Sequence, residues 1–411
     1  MALTEGVVTE SELDSARGWV VVAAAFVSMF VVYGIVYSFG AFFDSMAEDF
    51  GTGKGATALM FSITTAWYFG LGLVSGKAAD RFGPRPVLLV AAAVLGLALV
   101  ATSRVESIWV GYVTYGLGVG IAVACAYVPM VAAVGAWFVR RRTTALGVAV
   151  AGIGVGTLVL APLSERLIDR YGWRTSYVVL GIGGAAALLL ASLGAHRPPR
   201  QAEQVPPPMR QIVRQRGFVI LYAATLLMST ALFVPFVFIK SYATDEGIDA
   251  GAAATLVGII GASSVVGRLG LGGLGGRFGA TRLMQASFVI LAASFLIWLA
   301  AGSSYPMLVL FTLVMGVAYG GFIALAPAVA AGLFGTVGLG AILGTLYTAA
   351  AIGGLIGPPV VGEIIDQVSY EAGIVVAMVL TGASAAVLFL LPAGHDRSLP
   401  SAPVVADAVS P

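Results

Sequence analysis

The chain contains twelve long stretches that are almost wholly apolar, and no other feature restricts its fold as strongly. A helix that crosses the hydrocarbon core of a membrane needs about 20 such residues. Backbone groups in lipid must bond to one another, and the alternating pattern of barrel strands is absent, so we predict helices. The stretches are residues 18–43, 55–79, 86–103, 108–137, 143–168, 174–195, 217–243, 251–275, 282–301, 306–332, 341–365 and 371–392. The sequence therefore predicts an all-α membrane protein with twelve transmembrane helices.

Composition agrees with this fold class and excludes others. Of the 411 residues, 59% are apolar and 10% are charged, whereas a soluble domain carries about 25% charged residues. The chain has one cysteine and two histidines, so we expect no intrachain disulfide, no multi-histidine metal site and no cofactor. Glycine-rich runs lie inside apolar stretches, and no P-loop lysine is present. We therefore expect neither an enzyme nor direct coupling to ATP.

The distribution of basic residues predicts the orientation in the membrane. Residues 1–17 contain four acidic residues before the first apolar stretch, which is not the pattern of a signal peptide. With a cytoplasmic N-terminus, fifteen basic residues face the cytoplasm and six face the other side. We predict a multi-pass protein of the cell inner membrane with both termini in the cytoplasm.

A polar segment rich in proline and arginine, residues 196–216, separates the first six stretches from the last six. It has the composition of an interdomain linker, although an ordinary cytoplasmic loop would occupy the same place. It lacks interleaved aromatic residues, so we expect no nucleic-acid partner. The predicted organisation is a six-helix bundle at 1–195, a linker at 196–216, a second six-helix bundle at 217–392 and a cytoplasmic tail at 393–411.

An internal repeat indicates that the two bundles are related. Residues 80–83 (DRFG) recur as 276–279 (GRFG), Pro129 recurs as Pro327, and Asp169 recurs as Asp366. The offsets of 196, 198 and 197 residues are nearly equal. They predict two pseudo-symmetric halves of parallel topology, an arrangement typical of transporters.

Arg268 is the charged residue that stands out within the apolar stretches. The eighth stretch carries no charge from Gly251 until Arg268. A guanidinium stays charged and is costly at bilayer depth, so it normally faces a cavity. The alternative is a position at the cytoplasmic end, but Arg277 lies nine residues further on, beyond the reach of a side chain that extends to the interface. We predict that Arg268 faces a cavity and binds an anion there.

The loop after the second stretch, residues 76–85 (GKAADRFGPR), resembles the loop signature of the major facilitator superfamily. The resemblance implies the major facilitator fold. Asp80 could pair with basic groups or a helix N-terminus and lock the outward-open state. The simpler interpretation is an orientation signal, to which Asp80 would add nothing. We predict a gating role for Asp80 and Arg81.

A narrower resemblance rests on both halves of the chain. It is carried, together with Arg268, by residues 17–21 (RGWVV), 33–43 (YGIVYSFGAFF), 127–129 (YVP), 137–142 (WFVRRR) and 145–154 (ALGVAVAGIG). These segments look like those of the monocarboxylate transporter family, and we expect a bacterial member. The resemblance implies that Arg268 binds the substrate carboxylate, with Ser264 one turn earlier. Family members that carry an aspartate there have a proton site, so here the proton could travel on the substrate.

Four further residues are candidates for the substrate site. Tyr127 and Tyr319 lie near Pro129 and Pro327, and Tyr37 lies where the family has pore-facing polar residues. A phenol offers one hydrogen-bond donor and an apolar ring, although membrane tyrosines also form interfacial belts. Ile153 could line the apolar end of the pocket, on family resemblance. Tyr33 is interpreted as a packing residue.

The predicted function is transport of a small monocarboxylate, such as lactate or pyruvate, by alternating access, with proton symport. Relatives that exchange dicarboxylates carry a second basic residue in the eleventh stretch, and 341–365 has none. The expected partners are therefore a monocarboxylate anion, a proton and the lipid bilayer. The alternatives are an organic-anion exchanger (oxalate- or formate-like), an exporter of another organic acid, and a carboxylate sensor without transport.

Overall fold

The computed structural model describes residues 13–198, 208–335 and 338–391. The helices, numbered along the chain, are α1 Ala16–Tyr37, α2 Phe39–Phe50, α3 Lys54–Gly70, α4 Gly72–Phe82, α5 Pro84–Thr102, α6 Ile108–Gly111, α7 Gly120–Trp137, α8 Arg142–Ser192, α9 Met209–Ile212, α10 Arg216–Leu232, α11 Val234–Asp245, α12 Ala250–Phe278, α13 Ala280–Leu299, α14 Tyr305–Phe334, α15 Leu339–Gln367 and α16 Tyr370–Leu388. A π-helical stretch, Tyr112–Val119, joins α6 to α7. Each predicted stretch coincides with one or more of these helices, although four of the stretches run a few residues past a helix end.

In the described part of the chain, ten helices are long and apolar enough to cross a membrane. Counting the pair α3 and α4, which is bent by 48°, as one span gives eleven. The longest helix, α8, contains two of the predicted stretches. It is broken at Gly172, whose φ of 76° and ψ of 160° are not helical. Glycine adopts such a φ without the steric cost that a Cβ imposes, so this residue separates the two arms of α8.

The first span of each half is broken near its middle. Ser38 separates α1 from α2, and Phe233 separates α10 from α11. The Ser38 hydroxyl donates to the Gly34 carbonyl oxygen, and Pro235 in the first turn of α11 lacks the N–H that would continue α10. The two breaks are 195 residues apart in the sequence, which follows the internal repeat.

The helices form two bundles that meet along two helix pairs. In the first bundle α1 and α5 pack on α8, and in the second α10 and α13 pack on α16 while α12 packs on α14. Across the middle, α3 packs on α15 and α8 packs on α12. Gly154 of α8 and Gly261 of α12 face each other's backbone, and a Cβ on Gly261 would lie 2.7 Å from the Gly154 carbonyl oxygen.

Successive spans run in opposite directions and define two ends of the molecule. The linker end carries the start of α1 and the segments that flank the linker, and the distal end is the opposite one. At the linker end, Arg197 donates to the carbonyl oxygens of Asp80, at 2.9 Å, and Arg81, at 3.4 Å. Residues 199–207 of the linker and the predicted tail at 393–411 lie outside the described residues.

The segment before α1 is fastened at the same end. Asp14 accepts hydrogen bonds from the backbone N–H groups of Val139, Arg140 and Arg141 at 3.0–3.3 Å. Desolvation opposes ionisation of Asp14, but these three donors and the Arg140 charge lower its pKa below the ordinary value. The carboxylate thus stabilises the turn that joins α7 to α8.

Candidate functional site

A small cavity lies between the two bundles, near the middle of the membrane-spanning helices. Its walls contain six tyrosines, together with apolar side chains and Ser229. The tyrosines are Tyr33, Tyr37, Tyr68, Tyr127, Tyr319 and Tyr347. The cavity volume is about 40 Å³, which is enough for only a few water molecules. In this conformation the cavity is therefore too small for an organic substrate.

The tyrosines contact one another across the cavity. The hydroxyls of Tyr37 and Tyr319 are 2.9 Å apart and form a hydrogen bond between the first and second bundles. The ring of Tyr33 makes edge contacts with Tyr127 and Tyr68, with centroids 5.4 and 5.8 Å apart. Tyr37 also stacks on Phe236 at 4.3 Å. The walls thus combine phenol hydroxyls with aromatic faces, which suits a small organic ligand that has one polar end.

Arg268 lies one layer behind this wall. Its side chain is buried, with 7% of the residue exposed, and its guanidinium lies over the Tyr319 ring, 5.7 Å from the centroid. Nη1 donates to the Val150 carbonyl oxygen of α8 at 2.9 Å. Nε and Nη2 are buried and have no hydrogen-bond partner, and none of the ion pairs among the described residues includes Arg268.

Close backbone packing places Arg268 beside Tyr319. A Cβ on Gly267 would meet the Val317 carbonyl oxygen, and a Cβ on Gly320 would meet the Ser264 carbonyl oxygen. Because these two positions lack side chains, α12 and α14 approach each other directly. The residues next to the two glycines, Arg268 and Tyr319, are consequently held side by side.

The structure brings together most of the predicted site residues. Tyr37, Tyr127, Tyr319 and Ile153 line the cavity, and Arg268 contacts Tyr319. Ser264 is different, because it is buried outside the cavity wall and its hydroxyl donates to the Gly261 carbonyl oxygen at 2.7 Å. In this conformation its hydroxyl satisfies a backbone acceptor, so a role in binding stays a prediction.

Three tyrosines of the wall were not predicted. Tyr33, predicted as a packing residue, packs on Tyr37 and Tyr127 and in addition lines the cavity. Tyr68 and Tyr347 are not among the predicted site residues. Both of their rings pack on Phe69, at the contact of α3 with α15. A sequence signal did exist for other wall positions. Four of them, Ser229, Phe233, Ile323 and Ala350, follow Tyr33, Tyr37, Tyr127 and Ile153 by 196 or 197 residues.

Asp80 and Arg81 lie at the linker end, far from the cavity. Both residues are exposed. Arg81 stacks on Phe82, with its guanidinium carbon 5.1 Å from the ring centroid. Among the described residues the Asp80 carboxylate forms no ion pair. The predicted pairing of Asp80 belongs to the outward-open state. The gating role of Asp80 and Arg81 therefore stays a prediction.

Two helical bundles with a small cavity at their interface are the architecture of a secondary transporter. Residues 25–302 and 221–408 match the Major Facilitator Superfamily, and the chain belongs to that family. It is a multi-pass membrane transporter and not an enzyme, as the sequence predicted.

The chain is similar in sequence to named transporters from animals. It is 31% identical to monocarboxylate transporter 4 of Mus musculus over 86% of this chain and 78% of that protein. It is 30% identical to monocarboxylate transporter 13 of Bos taurus, over 92% and 90% of the two chains.

Solved structures agree with the fold. A bacterial homolog of the human lysosomal transporter Spinster, in an inward-facing and unoccupied conformation, superposes with a TM-score of 0.70 at 14% identity, over 92% of this chain and 97% of that one. The nucleoside transporter NupG superposes with a TM-score of 0.72 at 14% identity, over 91% and 98%. At this identity the likeness concerns the fold alone.

Proposed function

We propose that this transporter carries a small monocarboxylate, such as lactate or pyruvate, together with a proton. The observation that carries the proposal is the unpaired guanidinium of Arg268. Two of its nitrogens are buried without a partner, and a buried polar group without a partner is costly. A carboxylate accepts from two guanidinium nitrogens at once, so it would supply what Arg268 lacks.

The charge balance supports a monoanion. The cavity wall contains no acidic or basic side chain, and the described part of α15 contains no lysine or arginine. One carboxylate would therefore neutralise the single positive charge, and a second carboxylate would be left buried and unpaired. The names of the similar proteins from mouse and cattle point to the same substrate class.

Binding requires the cavity to widen. Its volume of about 40 Å³ is below that of a three-carbon acid, and the Tyr319 ring lies between the cavity and Arg268. We propose that the substrate enters when the Tyr37–Tyr319 hydrogen bond breaks and the Tyr319 ring moves. The freed hydroxyls and Tyr127 would then donate to the carboxylate, while Ile153 and the aromatic faces would contact its tail.

The two ends of the molecule would open alternately around this site. Asp80 and Arg81 are proposed to control the linker end, where Arg197 holds their backbone carbonyls. Replacing Asp80 with Asn should slow transport without weakening substrate binding. Uptake rates measured beside substrate-induced thermal shifts test this, and equal losses in both would remove the gating role.

The location and topology follow from the basic residues. We propose a bacterial inner-membrane protein with the linker end in the cytoplasm, a first bundle at 1–195, a linker at 196–216, a second bundle at 217–392 and a tail at 393–411. Labelling of single cysteines from either face of intact cells tests the orientation. Cys125, the one native cysteine, is replaced first so that it does not react with the label.

The decisive experiment is uptake of labelled lactate and pyruvate into proteoliposomes with and without an inward proton gradient. We expect accumulation that depends on the gradient and is absent in Arg268→Ala. The exposed Arg104→Ala is a matched control and should transport normally. Uptake that needs a counter-substrate and ignores the gradient would instead identify an anion exchanger. Stabilisation by short acids without any flux would identify a sensor.

A further inference from the structure

A second group of buried charges lies at the distal end, where α2, α8 and α11 meet. Lys240 of α11 is 3.5 Å from a carboxylate oxygen of Glu165 of α8 and 3.4 Å from one of Asp44 of α2. The Ser241 hydroxyl donates to the other Asp44 oxygen at 2.6 Å. We name these four residues the distal cluster. Since Asp44 and Glu165 belong to the first bundle and Lys240 to the second, the cluster joins the bundles.

The distal cluster contains one negative charge too many. It has two carboxylates but a single ammonium group. Asp44 tolerates its charge, because its side chain is 41% exposed and Ser241 donates to it. Glu165 is 3% exposed, and its Oε2 is buried with no hydrogen-bond partner. A buried carboxylate with a free oxygen is costly when it is ionised, so Glu165 is the member that a proton would stabilise.

The neighbouring helices do not correct this imbalance. Asp169, on the same helix, adds a further negative charge. Asp49 of α2 pairs with Arg174 at 3.1 Å, and Asp249 caps its own helix α12. Of the remaining charged side chains on α8, on the helices that pack on it and at the end of α11, Arg17, Arg85, Arg142 and Arg277 lie at the linker end and Arg268 is central. At the distal end, Arg166 and Arg170 of α8 and Glu48 of α2 are exposed, and Asp245 and Glu246 lie beyond Lys240.

We propose that Glu165 is a proton-binding site, and that the distal end closes when this carboxylate takes up a proton from the distal side. In the open state, water solvates both carboxylates and Lys240, so no proton is required. Closure removes that water and leaves three charges that do not balance. A proton on Glu165 leaves one Lys240–Asp44 pair, which is neutral. By linkage, a proton that binds the closed state more tightly favours closure.

The proposal deepens the proposed proton coupling and rests on it for its role in transport. A carrier that closes its distal end only with a proton bound moves the proton in the same direction as the substrate. This supplies the proton site that Ser264, in place of an acidic residue, cannot provide.

The test measures the distance between spin labels in the full-length protein in lipid nanodiscs, without substrate. The labels are attached at Glu106→Cys and Val368→Cys, two exposed distal positions on different bundles, in a Cys125→Ser background. As the pH falls, we expect the distances to shift from long to short. Glu165→Gln should give short distances at every pH. Asp169→Asn, one turn away, should keep the response to pH, with its midpoint moved to lower pH because a charge that disfavours ionised Glu165 is removed.

Lys240→Met provides a second variant should Glu165→Gln fold poorly. Without the ammonium, closure should require more acid, so the midpoint should move down by about 1 pH unit or more. The proposal is overturned by a wild type that ignores pH or opens in acid, by a normal response in Glu165→Gln, or by an unshifted Lys240→Met. Because no substrate is present, these results are independent of whether lactate is transported.

Discussion

The two buried cations of the second bundle, Lys240 and Arg268, have opposite surroundings. Lys240 is 8% exposed and lies between two carboxylates. Arg268 is 7% exposed and has one backbone carbonyl and one aromatic ring. The distal cluster thus lacks one positive charge, and the central site lacks one negative charge. A proton and a carboxylate would complete them, and these are the two cargoes of the symport that we propose.

The largest expected effect comes from removing the unpaired cation. Arg268→Met should lower substrate affinity by about 100-fold, because hydrogen bonds to a charged group contribute up to about 3 kcal/mol. The same variant should unfold at a higher temperature than the wild type, since it removes a buried charge that nothing balances. Substrate titration and thermal unfolding in detergent measure both. A lower unfolding temperature would mean that other groups in the fold balance the Arg268 charge. The contrast between Arg268 and Lys240 would then be wrong.

Removing the paired cation should have the reverse effect on stability. At a pH above that at which Glu165 takes up its proton, Lys240→Met leaves two carboxylates without their cation and should destabilise the closed conformation by about 2 kcal/mol, below the usual cost for a buried pair because Asp44 is partly exposed. Adding Glu165→Gln should restore part of this loss. A double-mutant cycle on thermal unfolding measures the coupling. Additive losses would show that the two side chains do not interact.

A smaller effect is expected from the phenol groups that surround the central site. Tyr127→Phe removes one hydrogen-bond donor and keeps the ring, so it should weaken substrate binding about five-fold, or by about 1 kcal/mol. Tyr171→Phe is the control, because that ring is 52% exposed and lies in the distal turn. Equal affinities for Tyr127→Phe and the wild type would leave the Tyr127 ring as its only contribution.

The smallest effect should come from an exposed charge that is already satisfied. Asp14 has a positive φ of 57°, which asparagine also adopts readily, so Asp14→Asn keeps the backbone conformation and removes the charge and one of the two accepting oxygens. Because the pKa of Asp14 is lowered in the fold, its stabilisation is present above the ordinary value of 3.8 and disappears as the pH falls through the lowered value. Thermal unfolding of both proteins should therefore converge in acid. A constant difference would contradict this assignment.

Helices and their order were accessible from the sequence because each span must satisfy its own backbone in lipid. Breaks within spans were harder to predict. Gly172 and Pro235 are recognisable as breakers, but the break at Ser38 has no comparable signal and depends on the packing of its bundle. The bent pair around Leu71 was also predicted as one continuous stretch.

For the sites, chemistry was easier to predict than partnership. Arg268 was identified because an arginine is rare at membrane depth. The pairing of Glu165 with Lys240 cannot be predicted from the sequence, since it depends on how two bundles approach across 75 residues of sequence. The internal repeat does relate two members of the distal cluster, because Asp44 and Lys240 are 196 residues apart and so occupy equivalent positions in the two halves.

The paired glycines of α8 and α12 have a consequence for motion. At Gly154 and Gly261 the two bundles approach to backbone contact, with the side chains of Thr157 and Val265 packed beside the two glycines. At such a contact the angle between α8 and α12 can change while the two helices stay in contact. A methyl group added at Gly154 would clash with the Gly261 carbonyl oxygen. It should therefore slow the transport of every substrate alike, whichever acid the pocket selects.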